Sequence, residues 1–163
     1  MKNILFTLAL LISFSSFGQT IPNFSSEDEI KNWISKNASD DLEGIWIFFN
    51  TEVGAYVKAA IIKTDEIVND NYKFIEIVIE PIGSWTEQWD LENLKFGDVV
   101  GEIYTKYSRQ LNALPPPQTS RNFIIVTDDV ESEGAYNKYQ LRVMFEKSGM
   151  LAYATKVYPP FSD

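Results

Sequence analysis

Histidine and cysteine are both absent from the 163 residues. Their absence removes the Ser-His-Asp triad, the cysteine nucleophile and the usual ligand sets for zinc, copper and haem. The remaining chemistry falls to carboxylates and aromatic rings. Asp129-x-Glu131-x-Glu133-Gly134 places three carboxylates at alternate positions before a glycine, the spacing that opens a calcium loop. Its two glutamates are longer than the usual ligands, and Gln140 stands where such a loop ends on a bidentate Glu. The stretch therefore reads as an acidic hairpin loop, and no metal or cofactor is assigned. Paired carboxylates for glycoside hydrolysis must converge at about 5 to 9.5 Å in a cleft. Glu76 and Glu80 instead have the spacing of the wet face of a half-buried strand. Trp85 and Trp89, with Tyr104 and Tyr107, form either an aromatic platform for a flat ligand or a loop folded over a barrel mouth.

These residues must be positioned by elements that the hydrophobic pattern predicts. Ser26-x-x-Glu29 is a capping box, and Ile30, Trp33 and Ile34 share one stripe, so a helix is expected over residues 26–37. Gly44-Ile45-Trp46-Ile47-Phe48-Phe49 follows, apolar on both faces. A strand buried on both sides needs an outer cover, and the helix is expected to supply it through Ile45, Ile47 or Phe49. Further strands are expected over residues 55–64, 72–80, 98–107, 121–127, 138–146 and 150–158. Ile75, Ile77 and Ile79 are assigned to the inward face of the third. Residues 65–71 and 128–137 read as polar turns, and Pro115-Pro116-Pro117 as an extended loop. The fold class expected is all-β with one N-terminal helix. Its strands form an antiparallel meander of about seven to eight, closed as a small barrel.

Lys2 and the apolar run Ile4–Ile12 read as a signal peptide, with Ser16 and Gly18 as the small residues before a cut at Gln19. The run is shorter than the ~20 residues that a spanning helix needs. Residues 19–163 then make one exported domain, periplasmic or extracellular, with no integral membrane segment after cleavage. The net charge of −9 opposes nucleic-acid binding. Aromatic residues are 14% of the chain, enough to fill a core or to line a cleft.

Gly44-Ile45-Trp46, opening the first strand after a short helix, resembles the Gly-x-Trp signature of the lipocalins and the wider calycin group. The chain is closer still to lipocalin-like barrel modules of secreted Gram-negative bacterial proteins. Those share Glu43-Gly44-Ile45-Trp46, a lysine-containing hairpin like Tyr56–Lys63, and a Trp and Gly-Asp-Val like Trp85 and Gly97-Asp98-Val99. The resemblance implies an up-and-down barrel and a basic residue on the last strand lying across the Trp, for which Lys156 is the nearest candidate. Lipocalins carry a C-terminal helix, whereas this chain ends Pro159-Pro160-Phe161-Ser162-Asp163.

The function expected is non-catalytic binding of a small apolar or aromatic ligand within the barrel. Trp46, Phe48, Ile77, Tyr139, Val143 and Tyr153 are the expected lining, with Trp85 and Trp89 at the mouth. The alternative is a filled barrel that acts through its surface. A hydrolase using carboxylates alone stands third.

Overall fold

The computed structural model describes residues 21–50, 55–82, 94–106, 121–127, 130–136, 138–145 and 150–160. Residues 1–20, which include the stretch read as a signal peptide, lie outside these residues, as do Trp85, Trp89, Tyr107, Asp129 and the triple proline. The first element is helix α1 (Glu27–Asn37). Ser26 caps it, its hydroxyl accepting the Glu29 N–H at 3.3 Å. The return bond goes one residue further out than in a standard capping box, with Ser25 N–H donating to the Glu29 carboxylate at 2.8 Å.

The strands follow as β1 (Gly44–Asn50), β2 (Ala55–Val68), β3 (Asn71–Ile82), β4 (Val99–Lys106), β5 (Arg121–Thr127), β6 (Val130–Tyr136), β7 (Gln140–Phe145) and β8 (Met150–Tyr158). All pair antiparallel in chain order, and β8 pairs back onto β1, so the curled sheet closes on itself. The chain is thus mostly β with one helix. Two of the expected turns are strand instead. β2 continues through Val68, with a register shift between Lys63 and Ile67, and turns at Asn69-Asp70. Both turn residues have positive φ, 51° and 63°, as a two-residue hairpin of matching twist requires. The acidic stretch 128–137 contains β6, which pairs with β5 and β7. Its polar composition hid it, because pairing on both edges satisfies a strand backbone whatever its side chains.

Side chains alternate between two apolar clusters. The inner one holds Leu42, Trp46, Ile61, Phe74, Ile103 and Leu141, with Tyr136, Ala152 and Ala154. The outer one joins Ile30 and Ile34 of the helix to Ile45, Ala60, Ile62, Ile77 and Ile79. The helix therefore covers β1 only at Ile45 and spends the rest of its stripe on β2 and β3. Of the three alternatives on β1, the helix takes Ile45; Ile47 is half-buried and Phe49 is 43% exposed. Burying an isoleucine such as Ile30 is worth about 1.5–3 kcal/mol, and Ile30 has no exposed surface. Ion pairs from Glu27 to Lys31 (2.8 Å) and to Lys58 of β2 (2.6 Å) hold the same face down.

Candidate functional site

One end of the sheet is plugged by polar groups that satisfy one another. Trp46 is fully buried, and its indole N–H donates to the Leu42 carbonyl at 2.8 Å. Lys156, opposite Trp46 across β1 and β8, sets its ammonium 4.9 Å from the Trp46 ring centre. That ammonium donates to the carbonyls of Asp41 and Glu43. Burial is the main influence on Lys156 and pulls it down to about 8, against the nearby charges of Asp41, Asp40 and Glu43. The Tyr136 hydroxyl donates to Asp40 at 3.0 Å. The Glu43 carboxylate accepts the N–H groups of Ser39, Asp40 and Lys63 at 2.6, 3.0 and 3.2 Å. Beside this plug lies a cleft of about 300 Å3 whose lining includes Ser39, Glu43, Lys63 and Tyr72. Lys63 stacks on Tyr72 there, 4.0 Å from the ring centre.

Among the described residues, the inner wall above the plug is mostly apolar, with Thr105 and Glu76 as polar members. Glu76 pairs with Ile61 on β2 and Gly101 on β4. Directly paired residues of an antiparallel sheet share a face, and Ile61 belongs to the inner cluster. Glu76 therefore faces inward, between Phe74 and Val78 on its own strand. Gly101, its partner on β4, has no side chain and is buried. Glu76 is half-buried, and among the described residues it has no hydrogen-bond or ion-pair partner. Desolvation alone pushes its carboxyl up to about 7. Sequence reasoning placed Glu76 on the wet face and missed it. The available signal was Phe74 and Val78 at two residues on either side, a second apolar set beside the isoleucines.

The expected lining residues divide. Trp46 faces inward as expected, and Phe48 packs against the inner cluster. Ile77 lies in the outer cluster beneath the helix, because the helix needs the isoleucine set of β3 and so turns Phe74, Glu76 and Val78 inward. Tyr153 pairs with Phe49 on the outer face and is 47% exposed. On β8, Ala152, Ala154 and Lys156 face inward, with Ala154 small opposite Phe48 and Lys156 lying across Trp46. Tyr139 lies in the turn before β7, under the Lys138 ammonium at 4.5 Å, with its carbonyl accepting from Lys156 N–H. Val143 pairs with Gly134 and Ala152; its side chain lies outside the description.

Tyr104 sits on the outer wall and donates to the Glu102 carboxylate at 2.7 Å. Lys73 bridges that carboxylate and Glu66 on the same surface. Glu131 and Glu133 pair with Val126 and Ile124 as strand residues of β6. Among the described residues, no three acidic side chains come together as metal ligands.

Among the described residues, the arrangement offers a mostly apolar wall, closed at one end, with one inward carboxylate at mid-wall, Glu76, and no second carboxylate beside it. Compared with known proteins, the chain matches no family model, no curated sequence and no solved structure.

Proposed function

We propose that this is an exported, lipocalin-like barrel that binds a small ligand with an apolar body inside its sheet. The observation that carries the reading is Glu76, a half-buried carboxylate on an inner wall built from Ile61, Phe74, Val78 and Ile103. Those four side chains have no exposed surface themselves, so what favours a ligand is the partial solvent access that Glu76 keeps, since an unpaired carboxylate is costly to seal. The lipocalin likeness is supported by Lys156 lying across Trp46, the feature that the Gly-x-Trp resemblance implies. Export rests on the leader pattern of residues 1–18.

The reading is tested by native mass spectrometry of protein purified from its own host, together with tryptophan emission across a panel of lipids, amines and aromatics. A co-purified small mass or a saturable emission change supports it. A bare mass with no emission change across the panel counts against it. N-terminal sequencing of the exported product should begin at Gln19.

The second reading, a module acting through its surface, is favoured by the exposed pair Phe49 and Tyr153, with Val157 38% exposed on the same strand as Tyr153. A pull-down lost on Phe49→Ser with ligand binding intact would select it.

A further inference from the structure

The cleft beside the plug carries charges that the fold itself does not use. It encloses about 300 Å3, where Lys63, Asp65 and Ile67, at the register shift of β2, meet Ser39, Glu43 and Tyr72. The backbone of that shift is pinned. Lys63 N–H donates to the Glu43 carboxylate at 3.2 Å. The Thr64 hydroxyl donates to the Lys73 carbonyl and accepts the Glu66 N–H, each at 3.1 Å. A strand irregularity of this kind re-aims side chains away from the regular pleat. The Lys63 ammonium rests 4.0 Å from the centre of the Tyr72 ring, which holds the charge in one place. Among the described residues, neither that ammonium nor the Asp65 carboxylate has an ion-pair partner, and the two do not pair with each other. Two residues apart in the chain, they are anchored at most about 7 Å apart. Ile67 is 61% exposed and adds an apolar surface to the same cleft.

These features select among ligands. A simple anion would pair with Lys63 but meet Asp65, in a chain of net charge −9. A simple cation would pair with Asp65 but meet Lys63. Glu43 favours neither, because its carboxylate is taken up by three backbone N–H groups. A small molecule carrying both charges satisfies both walls at once, and the cleft is at the small end of the size range of ligand pockets. We infer that this cleft binds an α-amino acid with an apolar side chain, its carboxylate on Lys63, its ammonium on Asp65 and its side chain against Ile67 and Tyr72. The cleft lies at the closed end of the sheet and Glu76 at mid-wall, so this inference and the barrel-ligand reading can each fail without the other.

The test is calorimetric titration of the exported protein with three probes that share one branched side group: L-leucine, isocaproate, which lacks the ammonium, and isopentylamine, which lacks the carboxylate. Leucine should bind saturably and about tenfold more tightly than either analogue. Lys63→Met should weaken leucine about tenfold without weakening isopentylamine, and Asp65→Asn should do the same without weakening isocaproate. Amide shifts on adding leucine should concentrate at Ser39, Lys63 and Tyr72 and spare Glu76. The analogue comparison and the shift map both use the wild type, so the test holds even if a variant fails to fold. Equal binding of the three probes overturns the inference. So do leucine binding that survives both substitutions, shifts centred on Glu76, and the absence of saturable binding by leucine.

Discussion

The ammonium of Lys156 stands 4.9 Å from the centre of the Trp46 ring, joining the last strand of the sheet to the first at its closed end. The same group donates to the Asp41 and Glu43 carbonyls, so one side chain ties β8, β1 and the segment between helix and sheet. Removing it leaves two buried acceptors and an uncovered indole face. Lys156→Met should cost about 2–4 kcal/mol in chemical denaturation.

The pH dependence of that comparison has a definite sign. Lys156 is depressed to about 8 in the folded protein from an ordinary value of 10.5. Its linkage term is fully favourable above the ordinary value and is lost as pH falls through about 8. The wild type should therefore gain stability relative to Lys156→Met between those two values.

Gly44 lies against the strand that Lys156 belongs to. A Cβ there would sit 2.5 Å from the Tyr158 carbonyl oxygen and 3.0 Å from Lys156 Cε, at a φ of +155°. Backbone cannot yield as a flexible side chain can, so β1 and β8 must separate. Gly44→Ala should cost at least about 2 kcal/mol and shift Trp46 emission as the ring loses its cover.

Glu43→Gln isolates the hydrogen bonding of the plug from its charge. Oε2 accepts from Ser39 and Asp40, and Oε1 accepts from Lys63. An amide can accept on one atom only and sets N–H against N–H on the other. The expected loss is about 1–3 kcal/mol. It should be visible in thermal melts, with hydrogen exchange accelerated first at Ser39 and Asp40.

Glu76→Gln should have the opposite effect on stability. The carboxyl is raised to about 7 from an ordinary 4.5, so its favourable contribution is present below the ordinary value and lost as pH rises through about 7. Above that pH the wild type carries an unpaired ionised group, and the variant should be more stable by up to about 3 kcal/mol. Below about 4.5 the difference should vanish. Denaturation midpoints of both proteins across this range check it.

Ile30→Ala probes the docking of the helix. Ile30 is fully buried against the outer face of the sheet, and its truncation should cost about 2–5 kcal/mol. The plug lies on the inner side, so Trp46 emission in the native state should not change.

Much of this architecture was legible in the chain. Ser26 and Glu29 marked the helix start, and alternation marked most strands, because capping and pleat periodicity act within a few residues. Gly44 and Trp46 pointed, through a resemblance, to a basic residue across the Trp, for which Lys156 was the nearest candidate. β6 was not legible: Val130–Tyr136 is polar enough to read as a loop, and only the pairing edges of β5 and β7 make it a strand.

What the sequence could not determine was which face of a doubly apolar strand turns inward. On β3, Ile75, Ile77 and Ile79 alternate with Phe74, Glu76 and Val78, and either set suits a core. The helix decides between them: its Ile30–Ile34 stripe takes the isoleucines of β3 and turns Glu76 toward the barrel interior. On β8 the same choice placed Ala152, Ala154 and Lys156 inside, the latter two opposite Phe48 and Trp46, and Tyr153 outside. Residue types and periodicity are local properties that sequence carries. The sign of a face is a packing decision among elements far apart in the chain, and the candidate site at Glu76 depends on that sign.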